Sequence, residues 1–127
     1  MIIYLLAPAQ ATGDIVRFQT RIGAGTGRWQ GPSPQPADVH VDVELDFREV
    51  VDWNTAELSS APSVIQIQAT GTLLRGRVTH FSNDGVLGLQ LGDGSIQLDM
   101  QGEPPPDVLH HALAVILPAI DIYPTGI

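Results

Sequence analysis

The feature that most constrains this fold is an unbroken alternation of apolar and polar side chains from Asp38 to Phe47. The apolar positions are Val39, Val41, Val43, Leu45 and Phe47. The polar positions between them are Asp38, His40, Asp42, Glu44 and Asp46. Because successive side chains of a β-strand point to opposite faces, this pattern predicts a strand with one buried and one solvent-exposed face.

Turn signals further along the chain predict a meander. The tripeptides Asn83-Asp84-Gly85 and Gly92-Asp93-Gly94 separate short apolar-alternating runs, and their residue types accept the positive φ angles of tight turns. We therefore expect three successive strands from about Thr72 to Met100. Further strands are predicted at residues 2–6, 15–22 and 64–69, and residues 112–117 and 119–123 are predicted as one kinked strand or two short strands, broken at Pro118.

Two segments allow helical structure. Residues 54–63 lack periodicity and are predicted as a loop or a single helical turn. Three prolines at 104–106 precede residues 107–111, and proline is favoured at the first position of a helix, so one short helical turn is expected there. A helix continuing through Leu117 is the alternative to a strand at 112–117, because alanine and leucine are good helix formers.

Residues 23–36 contain four glycines and three prolines, a composition that predicts a long loop. This loop carries Trp29, followed by a stiff proline-rich segment. Two interpretations of Trp29 stay open. It is either part of a partner-binding surface or an anchor that pins the loop to its own barrel.

About eight short strands with at most one short helical turn predict an all-β fold, either a small antiparallel barrel or a sandwich. The length of 127 residues suits a single β domain. The stretch from the acidic strand through the meander to the proline-preceded last strand has the strand number and long fourth connection of an oligonucleotide/oligosaccharide-binding (OB) type barrel. We therefore place an OB-like barrel there, and leave open whether residues 1–36 belong to it.

Composition excludes several classes of function. The chain has 14 acidic residues, six arginines, no lysine, no cysteine and a net charge of -8. Its average field repels phosphates, so we expect no nucleic-acid partner, whereas a basic protein would be attracted. Missing cysteine and lysine remove disulfides, thiol catalysis and Schiff-base chemistry. No apolar run approaches the ~20 residues of a membrane span, so a soluble, cytoplasmic protein is expected.

Catalytic signatures are weak. No serine lies in a G-x-S-x-G elbow, and nothing in the sequence selects one pair of carboxylates for acid–base chemistry. The adjacent residues His110 and His111 diverge on either a strand or a helix, so they are a poor pair of metal ligands. No cofactor is implied, and a noncatalytic protein is favoured over an enzyme.

The leading hypothesis is therefore a noncatalytic interaction protein that neutralises a basic partner, as small acidic inhibitor or immunity proteins do. Its candidate contact residues are the acidic strand face and the tryptophan: Asp38, His40, Asp42, Glu44, Asp46 and Trp29. The alternative is a barrel that binds a small molecule or a divalent metal ion. Metal binding would use Asp38, His40 and Asp42, which are spaced two residues apart on one strand face.

Overall fold

A computed structural model describes residues 1–125, and these residues form an all-β structure. A single short 3-10 helix lies at Trp53–Thr55. The strands are β1 (Ile2–Leu5), β2 (Ile15–Thr20), β3 (Gly23–Trp29), β4 (His40–Asp46), β5 (Val50–Asp52), β6 (Glu57–Ser59), β7 (Val64–Gln68), β8 (Gly71–Phe81), β9 (Val86–Leu91), β10 (Gly94–Gln101), β11 (Ala112–Leu117) and β12 (Ile120–Pro124). The all-β prediction is confirmed, including a strand rather than a helix at 112–117.

Five of these strands form a closed barrel in the order β1-β2-β3-β12-β4, with β4 pairing back onto β1. Strands β3 and β12 run parallel, whereas the other neighbours in the barrel are antiparallel. Five is the strand number of an OB-type barrel. The location predicted for the barrel is wrong, however, because three strands before residue 30 build it together with the acidic strand and the last strand.

The predicted meander lies in a second set of strands outside the barrel. Strands β8, β9 and β10 pair antiparallel in succession, as the two glycine-containing turns indicate. Strand β7 pairs with β8, and β5 pairs in parallel with the end of β10. Strand β11 pairs with β8 and β6. Among the described residues, the barrel pairs with this set at one position, the parallel pair of Gly23 with Ile65.

Strand β3 corrects the prediction of a loop over residues 23–36. Residues 23–29 of that predicted loop form a central strand of the barrel. Glycine occurs there because neighbouring atoms leave no room for a larger side chain. A Cβ atom at Gly25 would lie 2.8 Å from the ring of Phe18, and one at Gly27 would lie 2.8 Å from the carbonyl oxygen of Ile120. Strand β3 therefore lacks the alternation of large side chains by which a strand is recognised in a sequence.

Two further differences from the sequence predictions have local causes. Strands β5 and β6 have three residues each, too few for an alternating pattern to show. No helical turn forms at 107–111, because Asp107 and His110 adopt φ angles of 56° and 69°, outside the right-handed helical region.

Among the described residues, no helix has the length and apolar character needed to cross a membrane.

The interior of the structure is filled by the inward faces of these strands. Val43, Leu45 and Phe47 of the alternating segment are buried as predicted, whereas Val39 and Val41 are only half-buried. Phe18 and Trp29 have no exposed surface and are among the largest side chains of the core. The indole N–H of Trp29 donates a hydrogen bond to the carbonyl of Pro32 at 2.9 Å. Trp29 thus anchors the proline-rich segment to the barrel.

We expect Val43→Asp to lower the free energy of unfolding by about 3 kcal/mol or more, because it places an unpaired carboxylate in the core. Val50→Asp is the matched control, since Val50 is 54% exposed, and its effect should stay below about 1 kcal/mol. Urea unfolding followed by tryptophan fluorescence measures both. Equal effects of the two substitutions would contradict the burial of Val43 in the core.

Candidate binding cleft

The polar residues of the acidic strand point outward from the barrel and are exposed, as predicted. Strand β4 is covered on one edge by β1, which pairs with residues 40–42, and on the other by β12, which pairs with residues 43–46. This arrangement divides the acidic face into two halves with different surroundings.

The first half of the acidic face lies beside Tyr4 and the chain start. The hydroxyl of Tyr4 donates a hydrogen bond to Asp38 Oδ1 at 3.0 Å, and the Tyr4 ring contacts His40 edge-on, with 5.0 Å between ring centroids. Asp42 Oδ1 accepts a hydrogen bond from the ammonium group of Met1 at 3.0 Å. The hydrogen bond to Asp38, helped by desolvation and by the charge of that carboxylate, raises the pKa of Tyr4.

The residues considered as metal ligands are thus engaged separately. Asp38 accepts a hydrogen bond from Tyr4, His40 contacts the same ring edge-on, and Asp42 is paired with the terminal ammonium. Across residues 1–125, no three histidine, aspartate or glutamate side chains are grouped so that they could hold a metal ion.

The second half of the acidic face lines an open cleft of about 760 Å³. Glu44 and Asp46 of β4 form one wall, together with Tyr123 of β12. The opposite wall belongs to β10 and the turn before it. Its residues are Asp93, Gly94, Ser95 and Gln97. Three carboxylates therefore line the cleft, and no arginine side chain is among its described lining residues.

Strands β4 and β10 supply residues to this cleft, and within residues 1–125 the two strands do not pair with each other. The chain leaves β4 at Asp46 and enters β5 at Val50, and β5 pairs in parallel with β10 from Asp99 to Gln101. Before Asp99, β10 pairs with β9 on one edge, and no strand of the described residues pairs with its other edge. Met1 also lines the cleft and packs against β10, since a Cβ atom on Gly94 would come within 2.6 Å of the Met1 Cβ.

Next to the cleft, a buried carboxylate on β12 contacts side chains of β3 and of the residues that follow β3 and β4. Asp121 of β12 has no exposed surface. Its Oδ1 atom accepts hydrogen bonds from Arg28 Nε at 3.0 Å and from Gln30 Nε2 at 2.9 Å. Arg48 Nε lies 3.0 Å from Oδ2 without hydrogen-bond alignment, so this second contact is an ion pair.

Arg48 is held by β12. Its Nη2 group donates a hydrogen bond to the hydroxyl of Tyr123 at 3.0 Å. This bond, with the charge of Asp121, raises the pKa of Arg48. Arg48 is therefore directed to Asp121 and Tyr123. The carboxylates of Glu44 and Asp93 have no hydrogen-bonded cation among the described residues.

Sequence reasoning identified Glu44 and Asp46 but missed Asp93, Asp121 and the second wall of the cleft. Asp93 was interpreted only as a turn residue. Asp121 had a usable signal, because it is the one acidic residue in the otherwise apolar segment 119–123. Since Trp29 has no exposed surface, it offers no contact area to a partner, and we remove it from the candidate contact residues.

Comparison with known proteins supplies no relative: no family model, no curated protein and no solved structure matches this chain. The functional argument therefore depends on the geometry and charge of the cleft.

We expect the phenol of Tyr4 to ionise above its ordinary pKa of about 10, because the neutral phenol donates a hydrogen bond to a carboxylate. The chain has only two tyrosines, so Tyr123→Phe isolates Tyr4 for an absorbance titration. Adding Asp38→Asn should lower the midpoint, since it removes the negative charge that disfavours the phenolate. An unchanged midpoint would show that Asp38 does not bind Tyr4 in solution.

We expect Asp121→Ala to lower the free energy of unfolding by about 2 kcal/mol, because two guanidinium groups lose their partner at a buried position. The cost stays moderate because the side chains of Arg28 and Arg48 are 40% and 59% exposed and can be rehydrated. Asp99→Ala, at an exposed position of β10, is the control and should change stability by about 0.5 kcal/mol at most. Urea unfolding distinguishes the two, and equal effects would exclude a stabilising role for Asp121.

Proposed function

We propose that this protein is a noncatalytic binding protein whose acidic cleft and adjoining face of β4 contact a basic protein partner. The observation that carries the proposal is the lining of the cleft. Glu44, Asp46 and Asp93 face one open space, and no arginine side chain of the described residues lines it. An acidic inhibitor or immunity protein that neutralises a basic enzyme is the most concrete form of this function.

Electrostatics supports a cationic partner. Glu44 and Asp46 are two residues apart on one strand face, which places their Cα atoms about 7 Å apart. At that separation two carboxylates repel each other, and a cation placed between them is attracted to both. The net charge of -8 adds a long-range field that favours approach by basic surfaces.

The proposed contact surface is limited to the carboxylates of the cleft and of β4. The alternative of a ligand held inside the barrel gains no support, because Phe18 and Trp29 fill that interior. Binding through the cleft requires no change in the barrel, which serves as a rigid support for β4.

We expect the triple variant Glu44→Gln, Asp46→Asn, Asp93→Asn to associate about tenfold more slowly with its basic partner and to show a weaker dependence on salt. Dissociation should change less, because charges at the edge of an interface act mainly on the rate of encounter. The partner is obtained by capture from a native lysate at low and high salt, identified by mass spectrometry, purified, and measured by surface plasmon resonance.

The matched control is Glu57→Gln, Glu103→Gln, Asp107→Asn, which removes the same number of charges from exposed acids outside the cleft. It should reduce the association rate much less than the cleft variant does. If both triple variants slow association equally, only the overall charge matters and the cleft is not the binding site. If neither variant changes the rate, the proposed function is wrong.

A further inference from the structure

We infer that the cleft binds its partner as an added β-strand, by pairing an extended basic segment with the free edge of β10. This inference rests on the proposed function and specifies the form in which the partner is recognised. It follows from the orientation of backbone groups in the two strands that form the walls.

The backbone of β10 has two residues that face the cleft. The N–H of Met100 donates a hydrogen bond to the carbonyl of Gly85, on the side of β9. Because N–H and C=O groups alternate in direction along a strand, those of Ser95 and Gln97 point to the opposite edge. Strand β5 covers that edge only from Asp99 onward, so in the described structure no strand pairs with Ser95 and Gln97 there.

The wall formed by β4 offers less for backbone pairing. The N–H of Val43 donates a hydrogen bond to the carbonyl of Met1 at 2.8 Å, on the edge that faces β1. By the same alternation, the backbone groups of Leu45 lie on this edge and face the cleft. One such residue on β4, compared with two on β10, makes β10 the template for an added strand.

An unpaired strand edge inside a cleft of this volume is suited to strand addition, in which main-chain hydrogen bonds supply affinity and side-chain contacts supply specificity. Here the specificity comes from carboxylates. Side chains on one face of an added strand are about 7 Å apart, which matches the spacing of Glu44 and Asp46. The segment that fits has lysine or arginine at every second position, with Asp93 near one end of the cleft.

The first test uses a fluorescein-labelled, end-capped ten-residue peptide in which lysine and valine alternate, with binding measured by fluorescence anisotropy. We expect saturable binding to the full chain, without an added N-terminal tag because Met1 lines the cleft. The same peptide with glutamate in place of lysine should not bind. If the lysine peptide does not bind, or binds no better than the glutamate peptide, the inference is overturned.

The double variant Ser95→Pro, Gln97→Pro tests the edge directly, because it removes the two N–H groups that face the cleft and keeps the bonds to β9. We expect its peptide affinity to fall at least about tenfold. Ser95→Ala, Gln97→Ala retains both N–H groups and should bind within about twofold of the natural chain. Should the proline variant fail to fold, the natural chain is tested with a peptide N-methylated on alternate residues, which should lose binding to the same degree.

Failure of this inference is distinguishable from failure of the proposed function. If the proline variant binds the captured basic partner and the peptide as the natural chain does, while the variant at Glu44, Asp46 and Asp93 binds more slowly, charge alone guides docking. Strand addition is then overturned and the proposed function stands. If the carboxylate variant also keeps the natural rate, both are overturned.

Discussion

The barrel depends on the placement of β12 between β3 and β4. This strand supplies Ile120 and Ile122 to the core and directs Asp121 to the outer face, where arginines from both neighbouring segments meet it. Without β12, both β3 and β4 would lose a paired edge in the barrel. The orientation of β4, and therefore the wall of the cleft that carries Glu44 and Asp46, follows from this closure. The strand that carries Asp121 thus connects closure of the barrel with the geometry of the candidate cleft.

Local patterns predicted the strands whose two faces differ in polarity. The alternation around Val43 and the turns at Gly85 and Gly92 identify β4 and the meander correctly. Strand β3 escaped prediction because its glycines fit against Phe18 and Ile120, and a missing side chain leaves no periodicity. The membership of the barrel also escaped, because a pairing between residues near 28 and near 121 leaves no local trace in either segment.

The candidate site was predicted in the same uneven way. An exposed acidic strand can be read from residue order, and Glu44 and Asp46 lie on it. Asp93 lines the same cleft because the turn before β10 lies near β4, a tertiary arrangement that no local pattern encodes. An aromatic residue beside prolines has the composition of a surface loop, so the sequence leaves open whether Trp29 contacts a partner or anchors the loop, and its complete burial favours the anchor. Composition does not locate a surface, because burial depends on contacts between distant segments.

The late position of β12 in the chain has a consequence for the synthesis of this protein. Ribosomes deliver β1 to β4 first, yet the barrel cannot close until residues 120–124 have left the exit tunnel. During that interval β3 and β4 present unpaired edges, which are templates for pairing with other chains. Such distant pairing also gives a high contact order and correspondingly slow folding. The negative charges along β4 disfavour pairing of this nascent strand edge with another copy of the chain.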